Sequence, residues 1–193
     1  MHQETEGLLS PWIRDIRLKK VAQCIPNHTV VLDLACGNGY LSQFLPAGCK
    51  YYGVDRLEPS AHDPFTDFKI LDLSKNSTFK ELELWLPEKP NVITCIAFLE
   101  HISDPAAFLK NAQQLLNERG KIIGTTPHPR GRLVHDTLAK LHICSQSGAD
   151  EHETFLGKKD LNEMALGANG GLTQYSPFLF GLNQLFTVEF PQK

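Results

Sequence analysis

The sequence predicts an α/β domain built on a mainly parallel sheet with helices on both faces. Short β-branched and apolar runs without polar alternation, such as residues 29–34 and 91–97, suit strands covered on both sides. Between these runs lie segments whose apolar residues recur at helical spacing. Gly, Asp and Pro cluster where one pattern gives way to the next, so strand and helix alternate along the chain. A length of 193 residues with 41% hydrophobic and 21% charged residues suits one domain, spanning 1–193, around a single sizeable core.

A helix is expected over about 10–25. Ser10 and Pro11 suit its start, and Leu18, Val21, Ala22 and Ile25 share one face before Pro26 ends it. The first strand, 29–34, runs into the glycine-rich turn Cys36-Gly37-Asn38-Gly39, and 40–45 reads as a short helix. Strands follow at 50–54, ending at Asp55, and at 68–71, ending at Asp72. A helix over 78–86 is broken by the prolines of 87–90, and 91–97 is the fourth strand. Asp104-Pro105 opens the most regular helix, with Phe108, Leu109, Ala112, Leu115 and Leu116 on one face and Gly120 as its C-terminal cap. After a fifth strand at 121–125 the pattern weakens through 126–157, around one helical piece at 133–141. A last helix at 159–166 and an antiparallel pair at 172–179 and 185–190 complete the chain. The parallel core is therefore expected over about 29–126, with a less regular segment and closing hairpin over about 127–193.

Composition excludes several classes. A formal charge of −3 argues against a nucleic-acid partner, whose phosphates call for a basic stripe. Cysteines 24, 36, 49, 95 and 144 form no C-x-x-C pair and no zinc spacing, which suits reduced thiols in the cytoplasm. The first residues lack the basic start and apolar run of a signal peptide, and no stretch approaches the roughly 20 apolar residues of a membrane span.

In open parallel sheets ligands bind beyond the carboxyl ends of the strands, where strand order reverses. Residues 33–39, Asp55, Asp72, 98–101 and 126–130 fall there. The first turn contains G-x-G, but Ser42 stands where a dinucleotide fingerprint has its third glycine, and Asp33 ends the strand. A pyrophosphate would meet a carboxylate at that point, whereas an ammonium group would be attracted. Gly37 and Gly39 permit close approach of a ligand to the backbone. Asp55 is placed to accept both hydroxyls of a ribose, and Asp72 to meet an adenine amino group. An adenosine with a cationic amino-acid tail and no phosphates meets all three acids, and S-adenosylmethionine has that description.

On these residues the chain resembles the class I S-adenosylmethionine-dependent methyltransferases. DLACGNG at 33–39, GVD at 53–55 and ILDLS at 70–74 are similar to that family's first three motifs. AFLEHISDP at 97–105 resembles the motif after strand four in the small-molecule branch that includes the ubiquinone-biosynthesis O-methyltransferases. The resemblance implies a Rossmann-like sheet of seven strands with an antiparallel last strand. It places Asp33, Ala35, Cys36, Gly37 and Gly39 at the methionine end of the cofactor and Asp55, followed by Arg56, at the ribose. Asp72 and Leu73 would border the adenine, and Phe98 would face the transferred methyl, leaving S-adenosylhomocysteine as product.

Each feature has a plainer reading. The glycines suit a tight turn, Asp55 a helix cap or loop acid, and Asp72 a turn with Leu73 and Ser74. Glu100-His101 admits packing under the loop, a general base, or metal binding. The small-RNA 2′-O-methyltransferases that resemble this stretch carry an acid three residues before the pair; Ala97 stands there, so no metal is expected. His101 and His128 are the candidate catalytic bases. His135, His152, Arg130 and Arg132 suit a solvated loop or a substrate lid. Trp12 and Arg14 suit helix packing or closure over the cofactor.

The expected reaction moves the methyl to an oxygen or nitrogen of a small acceptor. The roughly 45 residues between strand five and the closing pair must supply both the lid and the last helix, too few for a separate substrate domain. Three rivals stand beside it: a non-catalytic module that binds S-adenosylmethionine or S-adenosylhomocysteine, an RNA 2′-O-methyltransferase, and an NAD-dependent oxidoreductase. Oligomeric state and the acceptor's identity are not legible.

Overall fold

The computed structural model describes residues 10–75, 77–129 and 155–191. Its strands are β1 (Val30–Leu34), β2 (Lys50–Asp55), β3 (Asp67–Ile70), β4 (Val92–Ile96), β5 (Lys121–Pro127), β6 (Gly171–Phe178) and β7 (Asn183–Glu189). They form one seven-stranded sheet in the order β3-β2-β1-β4-β5-β7-β6. β1 to β5 pair in parallel, while β7 lies antiparallel between β5 and β6. The expected seven-stranded sheet with an antiparallel last strand is what forms.

The helices are α1 (Ser10–Ala22), α2 (Thr78–Trp85), α3 (Pro105–Leu115) and α4 (Lys158–Gly167), with short 3-10 turns at Tyr40–Phe44 and Leu99–His101. β1 is buried at all five positions, because both faces of the sheet are covered. On one face Leu18, Val21, Ala22 and Ile25 pack against Val31, Tyr51, Val92 and Ile123. On the other, side chains of α2, α3 and α4, among them Leu82, Leu109 and Leu161, close over Leu32, Leu34, Val54 and Ile93. The chain fills the sheet from β1 outward to β3, then returns to place β4 on the other side of β1. Strand order thus reverses between β1 and β4, which opens the crevice at their carboxyl ends.

Local chemistry sets the boundaries. The Asp104 carboxylate accepts from the Ala107 N–H at 2.9 Å, capping α3, and Pro105 takes a first-turn position. Gly120 is not the cap of this helix. α3 ends at Leu116, whose extended backbone (ψ 151°) carries its side chain into the core, and Gly120 closes the next turn by donating to the Asn117 carbonyl at 3.0 Å. α1 likewise stops at Ala22, and Ile25 reaches the core from a turn in which its N–H donates to the Ala22 carbonyl. The helical piece expected at 133–141 lies outside the described residues. Among the described residues no helix is long and apolar enough to cross a membrane.

Candidate active site

The carboxyl ends of β1, β2 and β3 bring the predicted turn and acids to one edge of the sheet. β1 leaves the sheet through Ala35, at φ 61°, and the turn continues with Gly37 at φ 54° and Gly39 at φ 70°. This left-handed backbone is where glycine costs least. A Cβ on Gly37 would meet open space, so the turn presents bare backbone outward. Gly39 has a second reason to be glycine: a Cβ there would lie 2.5 Å from the ring of Phe65. The same ring fills the space above Gly53 in β2 and stacks on Tyr51, with centroids 5.1 Å apart.

Asp55 closes this turn from the end of β2. Its Oδ2 accepts the Gly37 N–H at 2.8 Å, and its Oδ1 accepts the Leu57 N–H at 3.1 Å. Each carboxylate oxygen keeps a lone pair for a ligand hydroxyl. Arg56, beside it, is exposed. Asp72, after β3, is also exposed and is held by the Ser74 hydroxyl at 2.7 Å and the Ser74 N–H at 3.1 Å. Those bonds, with Lys75 nearby, keep its carboxyl below the usual range. The side chain of Leu73 turns into the core, leaving its backbone at the edge.

Asp33 has a different setting from the one the sequence suggests. It is only 3% exposed. In register it lies beside Gly53 of β2 and Thr94 of β4, and Tyr51 stands two residues before Gly53 on the same face. The Tyr51 hydroxyl donates to Oδ2 and the Thr94 hydroxyl to Oδ1, both at 2.6 Å. Burial raises its pKa to about 6; the two hydroxyls oppose the rise, and the charge of Asp55 adds to it. Asp33 therefore ties three strands together beneath the turn. Its charge still reaches the turn: the Cys36 thiol is pushed up by burial first, then by Asp33 and Asp55. A negative field at that thiol suits a cationic ligand and opposes a pyrophosphate.

Phe98 follows β4, half-buried, with its ring edge-on to Phe108 at 5.5 Å. Glu100 and His101 share the next 3-10 turn, Glu100 buried and His101 exposed. His128, past β5, is half-buried and donates its backbone N–H to the Leu182 carbonyl at 2.9 Å. The turn, Asp55, Asp72 and Phe98 thus lie along one strand-end edge, with His101 and His128 at its β4 and β5 end. Arg14 lies over the Tyr40 ring, 4.0 Å from its centroid, so α1 packs against the segment that follows the glycines. Trp12 is 56% exposed. Arg130, Arg132, His135 and His152 lie outside the described residues. Among the described residues no group of three or more metal-binding side chains occurs.

Sequence reasoning missed Tyr51, Thr94 and Phe65. A hint was present in Gly53, since a glycine inside a strand often marks close approach of another group. It also missed Arg17, whose Nε donates to the Asn183 side chain at 2.8 Å and ties α1 to the start of β7.

A parallel sheet with a glycine turn after β1 and an acid ending β2 defines a nucleoside-binding α/β protein. Its negative first turn separates it from pyrophosphate-binding members of that class. The model of a family described as "Methyltransferase domain" matches residues 6–172. The ubiquinone biosynthesis O-methyltransferase of Coxiella burnetii is 31% identical over 167 residues, 83% of this chain and 70% of its own length. The protein of the same description from Pasteurella multocida is 31% identical over 129 residues, 59% of this chain, but the match spans 53% of its length. A solved structure of a Burkholderia thailandensis 1,6-didemethyltoxoflavin-N1-methyltransferase, with 1,6-didemethyltoxoflavin and S-adenosylhomocysteine bound, superposes with a TM-score of 0.67 at 15% identity. That match covers 94% of this chain and 81% of the other. The chain belongs to the class I S-adenosylmethionine-dependent methyltransferase family.

Proposed function

We propose that this protein transfers the methyl group of S-adenosylmethionine to a nucleophilic oxygen of a small molecule. The observation that carries the reading is the first turn. Bare glycine backbone at Gly37, the Asp55 carboxylate beside it and a negative field at Cys36 fit an adenosine with a cationic amino-acid tail. Asp55 would hold the ribose, Gly37 and Gly39 with Ala35 and Cys36 would lie along the methionine portion, and Asp72 and the Leu73 backbone would border the adenine. Asp33 would act through the turn it supports. Oxygen is preferred over nitrogen because the relatives at 31% identity are described as O-methyltransferases. The same likeness favours a small acceptor and a site within one domain.

The sulfonium supplies an already reactive methyl group, so the protein's work is alignment and exclusion of water. α1, packed on Tyr40 through Arg14, would shield the turn from water. Phe98 would line the path between the turn and the end of β4. A hydroxyl acceptor must lose a proton, and His101 or His128, which follow β4 and β5, would take it. The test is transfer of radiolabelled methyl from S-adenosylmethionine to a panel of small hydroxyl compounds. Labelled product that disappears in Asp55→Ala supports the reading. If the protein binds S-adenosylhomocysteine and labels no acceptor of any class, it is a non-catalytic binding module instead.

A further inference from the structure

Two buried polar atoms at the end of β4 and β5 have no hydrogen-bond partner among the described residues: Oε2 of Glu100 and Oγ1 of Thr126. Glu100 is 3% exposed and Thr126 fully buried. Unpaired buried groups of this kind are rare in folded proteins, and each calls for a reason. The polar side chain opposite Thr126 is engaged elsewhere. Gln184 faces Thr126 across the β5–β7 pair, but its amide N–H groups go to the carbonyls of Pro127 and Leu156. Its amide oxygen accepts from the Tyr175 hydroxyl at 2.9 Å. Burial raises the Glu100 carboxyl above its ordinary range; its own backbone N–H, the charges of His101 and Arg17 and the nearby Thr126 hydroxyl oppose the rise, but that hydroxyl leaves Oε2 without a hydrogen bond.

Position along the sheet adds the second argument. Asp72 ends β3, Asp55 ends β2, the glycine turn follows β1, and the orphaned pair lies beyond, past β4 and on β5. On the proposed reading this edge runs from adenine through ribose to the methionine portion. The orphaned pair comes next, on the side where an acceptor must approach.

We propose that Glu100 and Thr126 select the methyl acceptor by binding a single hydroxyl group. An oxygen that donates one hydrogen bond to the Glu100 carboxyl and exchanges another with the Thr126 hydroxyl satisfies both atoms at once. A hydroxyl meets that demand, because it is both donor and acceptor. An ammonium group can only donate, which leaves the Thr126 proton without an acceptor; an aromatic amine accepts poorly through its delocalised lone pair, and a carboxylate has no proton to donate to the Glu100 carboxyl. A site built around such a bond discriminates strongly against an analogue that lacks it. Glu100 and Thr126 would then touch the acceptor, not the cofactor.

This inference rests on the methyltransferase reading, and its test separates the two. Wild type, Glu100→Gln and Thr126→Val are first titrated with S-adenosylhomocysteine. All three are expected to bind with affinities within about twofold; no binding by folded wild type would overturn the methyltransferase reading itself. Each is then assayed with S-adenosylmethionine and matched probes, catechol and 3,4-dihydroxybenzoate against the corresponding diamines. Wild type is expected to methylate the hydroxyl member of at least one pair in preference. Each substitution is expected to lower kcat/KM for that probe about 30-fold or more, in the range expected when a buried hydrogen bond to substrate is lost. Preference for the diamines, or no labelling of either hydroxyl probe by protein that binds S-adenosylhomocysteine, would overturn the inference. So would variants that turn over hydroxyl probes within threefold of wild type, because the pair would then hold a structural water only.

Discussion

Replacing Asp33 by Asn should change how stability depends on pH. Asp33 is buried beneath the glycine turn, and its pKa rises from 3.8 to about 6 on folding. An acid whose pKa rises on folding stabilises the native state while it is protonated. That contribution is fully present below pH 3.8 and is lost as pH rises through 6. The whole swing is about 3 kcal/mol, at about 1.4 kcal/mol per pKa unit, and about 2 kcal/mol of it falls between pH 4.5 and 8. Asn keeps the shape and can bond both the Tyr51 and Thr94 hydroxyls, since each can donate or accept. It has no proton to lose, so this part of the pH dependence disappears. Urea unfolding of both proteins at half-unit steps from pH 4.5 to 8 measures it. The stability of Asp33→Asn relative to wild type should improve by about 2 kcal/mol across that range. Parallel curves, with a difference constant to about 0.5 kcal/mol, would refute the reasoning, because Asp33 would then titrate alike folded and unfolded.

The two glycines of the turn should respond differently. Gly39→Ala must displace the Phe65 ring and hold a left-handed backbone, so denaturant unfolding should show a loss of about 2 kcal/mol or more. Gly37→Ala meets open space and carries the backbone cost alone, about 1 kcal/mol, while the added methyl occupies the outward face of the turn. Calorimetry should therefore show Gly37→Ala weakening S-adenosylhomocysteine binding by more than its stability loss would suggest. Asp104→Ala removes the cap of α3 and should cost about 1 kcal/mol in unfolding, with cofactor binding unchanged.

Much of the sheet is legible in the sequence because parallel central strands must be apolar on both faces, and four such runs, those of β1, β2, β4 and β5, stand out between turns. The acids at the strand ends are legible for the same reason, being polar residues that interrupt otherwise apolar runs. What is not legible depends on pairings distant along the chain. Asp33 reads as a ligand-facing acid until Tyr51 and Thr94, brought beside it by register, take both its oxygens. Gly120 reads as a cap because nothing local reveals that Leu116 leaves the helix to enter the core. Glu100 reads as one half of a Glu-His pair. Only the fold reveals that it is buried while His101 is exposed, and that its neighbour Thr126 comes from the next strand. The glycines and Asp55 are legible as residues that follow a strand, while the bond between them comes from the β1–β2 pairing.

The central claim is that the first turn is built for a cationic, phosphate-free adenosine ligand. Calorimetric titration of the folded chain with S-adenosylmethionine, S-adenosylhomocysteine and NAD, repeated on Asp55→Ala, tests it most directly. The account predicts saturable binding of both sulfur nucleosides, weakened at least about tenfold when Asp55 loses its carboxylate, and no binding of NAD. Binding of NAD with neither sulfur nucleoside bound would contradict it.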